Sequence, residues 1–133
     1  MIAKILLSMS FIIIISFLVL RIKNIFIETK LVVNEEVNLG DVDLNSKREF
    51  EISLVNLTRK DFEVAKIYTS CGCTKAIGAA PFIIKKGETV SIKFEFDPGS
   101  MHQKGDYIDH EAYFLTTRPV EKEYKVKITG RVI

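Results

Sequence analysis

The stretch Val90-Ser91-Ile92-Lys93-Phe94-Glu95-Phe96 alternates apolar and polar side chains at every position. Successive side chains of a β-strand point to opposite faces of the sheet, so the pattern predicts a strand with one buried and one solvated face. The same period of two recurs in Phe50–Leu54 and Tyr124–Ile128. Fainter patterns indicate further strands near Leu31–Val33, Val42–Leu44, Phe62–Tyr68 and Ala112–Thr116.

Turn-forming residues separate these segments. Lys85-Lys86-Gly87-Glu88 precedes the strand that begins at Val90, and Asp97-Pro98-Gly99-Ser100 follows its end. About seven short strands at this spacing predict an all-β fold, an immunoglobulin-like antiparallel β-sandwich over residues 34–133. The chain has no Trp, which excludes the antibody-type core built on a buried Trp.

The N-terminal segment predicts a membrane anchor. Ile5–Leu20 is a run of 16 residues without a charge. A helix of that length spans roughly 24 Å, and flanking apolar residues extend it toward the ~30 Å of a hydrocarbon core. No small residues occupy the −3 and −1 positions of a cleavage site near Leu20, which favours an uncleaved anchor over a secretory signal. We predict one transmembrane helix within residues 1–23, followed by a linker over 24–33.

The charges around the anchor say little about its orientation. Lys4 lies on one side, and Arg21 and Lys23 lie on the other, so the positive-inside rule hardly discriminates. The short N-terminal tail and the sandwich that follows favour a cytoplasmic N-terminus. The domain is then expected to be extracytoplasmic, in the periplasm or on the cell surface.

The charge of the domain argues against a nucleic-acid partner. The chain has 19 Lys and Arg against 17 Asp and Glu, and three of the cations flank the anchor. The domain is left with a net charge of about −1, whereas phosphate binding needs clustered Lys and Arg.

The most unusual segment is Ser70-Cys71-Gly72-Cys73-Thr74, which contains the only two cysteines of the chain. Residues i and i+2 of an extended segment point to the same side, within disulfide range. Four interpretations remain open: a strained disulfide, a redox dithiol, a soft-metal site for Cu(I), or small buried hydrophobic side chains.

A metal would need further ligands. Met101 and His102 lie in the loop after Pro98, and His110 lies at the start of a predicted strand. These three are weak candidates, since the sequence does not show that they approach the cysteines. A structural zinc site is not favoured because a second cysteine pair is missing. We therefore assign no metal and no cofactor from the residues, with copper as the alternative.

No other catalytic pattern is present in the sequence. It has no glycine-rich phosphate loop and no Gly-x-Ser-x-Gly nucleophile turn. Asp106, Asp109 and Glu111 lie close together, but their spacing matches no calcium loop. We predict that the protein is not an enzyme.

Residues 34–132 resemble the bacterial domain-of-unknown-function family 1573, which is related to hydin-type and sperm-protein immunoglobulin-like domains. The similar motifs occur in the family's order. They are Leu39-Gly40-Asp41-Val42, Phe50–Asn56, the hallmark Thr69–Thr74, Lys86-Gly87-Glu88, Asp97-Pro98, Lys104-Gly105 and Ile128-Thr129-Gly130. The sequence departs at Leu39, where an aromatic residue is usual, and at Phe82–Lys85, where a proline-containing turn is common.

The resemblance implies a secreted or membrane-tethered sandwich and supplies no substrate. The first hypothesis is a tethered binding or structural module of the cell envelope, with a protein or envelope partner. The alternative is a thiol redox or copper-handling protein that uses Cys71 and Cys73.

Overall fold

The computed structural model describes residues 1–25, 30–78 and 80–133. Its first element is helix α1, Ile2–Ile25, which extends slightly past the predicted end of the anchor. Ile2–Arg21 has a mean hydropathy of 2.5 and is long and apolar enough to cross a membrane. Its length and composition suit either an anchor or a signal sequence. Residues 26–29 of the predicted linker lie outside the described residues.

Beyond the helix, the described residues form nine strands in two sheets. The strands are β1 (Val32–Val33), β2 (Glu36–Val42), β3 (Arg48–Val55), β4 (Phe62–Thr69), β5 (Thr74–Ile77), β6 (Phe82–Ile84), β7 (Thr89–Phe96), β8 (Tyr107–Arg118) and β9 (Lys122–Val132). One sheet has the order β1-β3-β7-β5, and the other has the order β2-β9-β8-β4-β6.

The predicted β-sandwich is confirmed, with two differences in detail. Nine strands replace about seven because β5 and β6 have only four and three residues, too few to show an alternating pattern. Strand β1 lies in the segment predicted near Leu31–Val33. One pairing is parallel: β2 runs alongside β9, with Glu36 opposite Lys127 and Val42 opposite Val132. The other strand pairings are antiparallel, as expected.

The core lies between the two sheets and is built from the alternating positions. Phe94 on β7 is fully buried; its ring stacks on Phe50 at 5.4 Å and meets Phe114 of the opposite sheet edge-on at 6.0 Å. Burial of apolar surface between the sheets is the main stabilising contribution to such a fold. The other fully buried large apolar side chains are Ile52, Leu54, Phe62, Val64, Ile84, Phe96, Val126, Ile128 and Val132.

The turn after β3 is held by a buried polar side chain. Asn56 is fully buried, and its amide nitrogen donates to the carbonyl oxygens of Lys60 at 2.8 Å and Ile84 at 3.0 Å. Its amide oxygen accepts from the hydroxyl of Thr58 at 2.7 Å and from the backbone N–H of Thr58 at 3.0 Å. One side chain therefore ties the turn to β6 and satisfies groups that water cannot reach.

Candidate functional site

The Cys-Gly-Cys segment is the connection by which the chain crosses from one sheet to the other. It joins β4 to β5, which lie in different sheets. The hydroxyl of Thr69 donates to the carbonyl oxygens of Cys71 at 2.9 Å and Thr74 at 2.8 Å. The backbone N–H of Asp97 donates to the carbonyl of Cys73 at 2.8 Å. The crossing is therefore fixed by both sheets.

Within this crossing, the two cysteine Sγ atoms lie at disulfide bonding distance, with their Cα atoms 5.2 Å apart. Cys73 is buried, with 3% of its surface exposed, and Cys71 is half-buried. Gly72 has no positive φ, and a Cβ there would meet nothing within 4 Å, so the local backbone does not require glycine. The geometry agrees with the disulfide among the predicted alternatives.

The histidines reach the same end of the sandwich from two other elements. The connection between β7 and β8 contains a 3₁₀ turn, Pro98–Ser100, and the backbone N–H of His102 donates to the carbonyl of Pro98 at 2.9 Å. His110 lies on β8. This connection crosses between the sheets in the opposite sense to the cysteine segment, so the two crossings meet at one end of the core.

Four potential ligand atoms converge there. The Nε2 atom of His110 is 3.5 Å from Sγ of Cys73, and the Nε2 atom of His102 is 3.8 Å from the same sulfur. The two imidazole Nε2 atoms are 3.0 Å apart. One ligand atom from each of these histidines and from each cysteine lies within 4.8 Å of the others.

Met101 joins this group through its thioether. Its Sδ atom is 3.9 Å from Sγ of Cys71, and 65% of the residue is exposed. The structure therefore brings together all five residues that the sequence singled out. We call Cys71, Cys73, Met101, His102 and His110 the sulfur–imidazole cluster.

The surroundings favour a neutral imidazole at His110. Burial, together with the neighbouring His102, lowers the pKa of His110 below its ordinary value. The Nδ1 atom of His102 faces the carboxylate of Asp106 at 3.6 Å, and Asp106 accepts a hydrogen bond from the backbone N–H of Gln103 at 2.8 Å. This carboxylate favours a proton on Nδ1, which leaves Nε2 with a lone pair directed into the cluster.

The acidic residues near His110 have different partners. Asp109 pairs with Lys127 at 3.7 Å, and Glu111 pairs with Lys125 at 3.3 Å. Only Asp106 of the three acids noted in the sequence faces the cluster. Its four-residue spacing from His102 was the available signal, but that signal is weak without knowledge of the loop.

A second feature that the sequence did not indicate is an open groove between the sheet edges. β6 pairs with β4 only at Phe62–Val64, whereas β8 pairs along the other side of β4 as far as Thr69. Among the described residues, no strand pairs with Lys66–Thr69 on the side away from β8. A groove of about 670 Å³ lies between this half of β4 and strand β5.

The disulfide between Cys71 and Cys73 can be tested by mass spectrometry. We expect protein prepared from an oxidising compartment to have an intact mass two hydrogens below that of the dithiol. We also expect no alkylation of Cys71 and Cys73 under denaturing, non-reducing conditions, since a disulfide sulfur does not react with an alkylating reagent. The same sample after reduction is the control and should take up two alkyl groups. Full alkylation without reduction would contradict the bond.

Two sequence comparisons bear on the family. The model of the family described as "Protein of unknown function (DUF1573)" matches residues 31–132. No curated protein matches the sequence.

Solved structures share the fold. A protein of unknown function from Porphyromonas gingivalis W83 superposes with a TM-score of 0.64 at 15% identity, over 76% of this chain and 46% of that one. The PapD-like domain 7 of human CEP192 gives 0.56 at 10% identity, over 79% and 86%. The Escherichia coli chaperone DraB gives 0.58 at 9% identity, over 77% and 55%.

These likenesses are informative about the fold alone. The chain spans about half the length of the Porphyromonas and DraB chains. Two Vibrio cholerae proteases are also among the similar structures, so the shared fold does not distinguish binding proteins from enzymes.

Proposed function

Because the chain belongs to the DUF1573 family and combines a PapD-like sandwich with an apolar N-terminal helix, we propose that it is a membrane-tethered binding module of the cell envelope. In this role the helix stays uncleaved and spans the membrane once, with the N-terminus in the cytoplasm. The domain over 34–133 is extracytoplasmic. The disulfide distance between Cys71 and Cys73 supports this placement, since disulfides persist in oxidising compartments.

The observation that carries the proposal is the half-open edge of β4. Lys66–Thr69 offers backbone N–H and C=O groups on a side where no described strand pairs with it. An unpaired edge is a template for an added strand, and β-augmentation is a common way for a sandwich to bind an extended polypeptide. The partner we propose is therefore an extended segment of an envelope protein.

The lining of the groove suggests the character of that segment. Small side chains, including Ala65, Ala76 and Ala80, contribute to the wall, and Lys66 and Lys75 are exposed beside it. Small wall residues leave room for the partner's alternate side chains. The two lysines favour acidic residues next to that apolar row.

Nucleic acid is not the expected partner. Several exposed lysines of the sandwich already face carboxylates: Lys47 pairs with Glu95 at 3.2 Å and Lys125 pairs with Glu111 at 3.3 Å. Among the residues that the structure describes, such pairs leave no basic stripe of the kind that tracks a phosphate backbone. The proposed role also requires no catalytic step.

The test is site-specific photo-crosslinking in membranes of the native host, using the full chain. A photoreactive residue at Lys66 is expected to capture a partner, and one at Lys93, an exposed lysine on the central strand β7, is the matched control. With the photoreactive residue at Lys66, reversing the other groove lysine, Lys75→Glu, should reduce capture by up to about fivefold, because a rim charge contributes up to ~1 kcal/mol.

Hydrogen exchange separates strand addition from other contacts. Binding of the captured segment should protect those backbone amides of Lys66–Thr69 that point away from β8, because an added strand pairs with the free edge. Capture that is equal at Lys66 and Lys93, or capture without protection of this edge, would contradict the proposal.

A second candidate function is thiol–disulfide exchange, favoured by the disulfide distance between Cys71 and Cys73. Cys71 is the more accessible sulfur and would be the one attacked by an incoming thiolate. Thiol titration of the reduced, folded protein tests it. If both cysteines stay unreactive until the protein is denatured, this candidate fails.

A further inference from the structure

The sulfur–imidazole cluster has the spacing of a metal site before any metal is added. In a tetrahedral Cys₂His₂ site with the bond lengths of zinc, about 2.3 Å to sulfur and about 2.05 Å to nitrogen, two nitrogens lie about 3.3 Å apart. A sulfur and a nitrogen then lie about 3.5 Å apart. The observed separations are 3.0 Å between the His102 and His110 nitrogens, and 3.5 and 3.8 Å from these to Sγ of Cys73. Three of the four donors therefore already occupy the corners of one coordination sphere.

The fourth donor is available once the cysteines are reduced. A metal bound by two thiolates separates their sulfurs to about 3.8 Å. The Cα atoms of Cys71 and Cys73 are 5.2 Å apart, and both residues lie in one short crossing, so rotation of the half-buried Cys71 side chain suffices. The second cysteine pair that the sequence lacked is replaced by two histidines from other elements.

A supporting carboxylate strengthens the assignment. Histidine ligands commonly direct their second ring nitrogen to a carboxylate, which fixes the ring and raises its basicity. The Nδ1 atom of His102 faces Asp106 in this way at 3.6 Å, and the backbone of Gln103 holds that carboxylate in place.

The nature of the donors selects the ion. Thiolate and imidazole ligands suit both Cu(I) and Zn(II), so the donor that favours Cu(I) over zinc at this cluster is the thioether of Met101. The Met101 thioether lies 3.9 Å from Sγ of Cys71, on the exposed side of the cluster. We propose that the dithiol form of this protein binds one Cu(I) ion through Cys71, Cys73, His102 and His110, with Met101 as an adjacent soft donor.

The disulfide makes this site conditional on reduction. In the oxidised pair neither sulfur is a thiolate, so the two strongest donors are lost. An external dithiol supplies two electrons and two protons to the Cys71–Cys73 bond and leaves as its own disulfide. Cu(I) then displaces the two thiol protons into solvent, and its oxidation state does not change.

The test uses the full chain in detergent micelles, without oxygen. Reduced protein, freed of reductant, is titrated with Cu(I) in competition with the chromophoric chelator bicinchoninate. We expect the reduced protein to withdraw one equivalent of Cu(I), and the disulfide form and the Cys71→Ser/Cys73→Ser variant to withdraw none. X-ray absorption of the loaded protein should show both sulfur and imidazole scatterers. Reduced protein that withdraws no more copper than the cysteine variant overturns the proposal.

Two matched variants test the site without replacing the buried Cys73, whose substitution could unfold the protein. Asp106→Asn should weaken Cu(I) affinity by about tenfold or more, as for other partners of ligating histidines. Asp109→Asn, a nearby acid that instead faces Lys127, should change nothing. Equal affinities for these two variants, or full affinity in His102→Ala/His110→Ala, would leave a bare dithiol and overturn the four-ligand site.

The identity of the metal is tested through Met101. Met101→Leu should lower the affinity for Cu(I) several-fold and leave that for Zn(II) unchanged, because zinc sites use thiolate, imidazole and carboxylate donors. A protein that holds Zn(II) against an excess of Cu(I) overturns the assignment to copper.

Discussion

Replacing Phe94 with alanine is expected to lower the free energy of unfolding by about 3–5 kcal/mol, the cost of truncating a fully buried aromatic ring. Phe94 has no exposed surface, and its ring contacts Phe50 in its own sheet and Phe114 in the other. The ring therefore fills the space between the sheets at the middle of the core. Its removal loses apolar burial and leaves a cavity that packed strands do not close.

Urea unfolding followed by far-ultraviolet circular dichroism measures this effect in the full chain in detergent. The matched control is Ile83→Ala on edge strand β6, because 57% of the surface of Ile83 is exposed. The control should cost less than about 1 kcal/mol. If Phe94→Ala cost as little as Ile83→Ala, the inward face of β7 would be wrongly assigned.

Asn56→Ala is expected to cost about 2–4 kcal/mol, although asparagine is a small polar residue in a turn. The substitution removes the Asn56 partner of the Ile84 carbonyl oxygen and of the Thr58 N–H, whereas the Lys60 carbonyl keeps a hydrogen bond from the Thr58 hydroxyl at 3.0 Å. Each buried group left unsatisfied costs about 1–3 kcal/mol, and partial rearrangement of the turn recovers some of that.

Asn45→Ala is the control for Asn56→Ala, because Asn45 lies in an exposed turn. Among the described residues, its side chain makes no hydrogen bond to a buried backbone group. It should change stability by less than about 0.5 kcal/mol. The same urea experiment measures both. Equal effects would mean that Asn56 acts only through its turn propensity.

The sequence predicted the sandwich because three strands inside the sheets alternate regularly. The alternation in Phe50–Leu54, Val90–Phe96 and Tyr124–Ile128 fixes which face is buried, and these strands form the centre of the sheets. Strands β5 and β6 were missed because three or four residues cannot show a period of two. The parallel pairing of β2 with β9 joins residues about ninety positions apart, which no local pattern encodes.

The sequence identified the residues of the site but did not show that they lie close together. Cys71 and Cys73 were evident from their spacing, and His102 and His110 could be named only as candidates. What brings them together is the meeting of two crossings between the sheets, which depends on the whole topology. Asn56 is a similar case, since a sequence identifies a turn residue but not its burial.

The parallel pair of β2 and β9 determines how the domain responds to tension. Strand β2 follows helix α1 and the short strand β1, and it runs side by side with the last strand, β9, in the same direction. Pulling on the N-terminal end of β2 and the C-terminal end of β9 loads their hydrogen bonds in shear, so the bonds must break together rather than one at a time. A domain with this geometry resists unfolding by a force applied between its N-terminal and C-terminal strands.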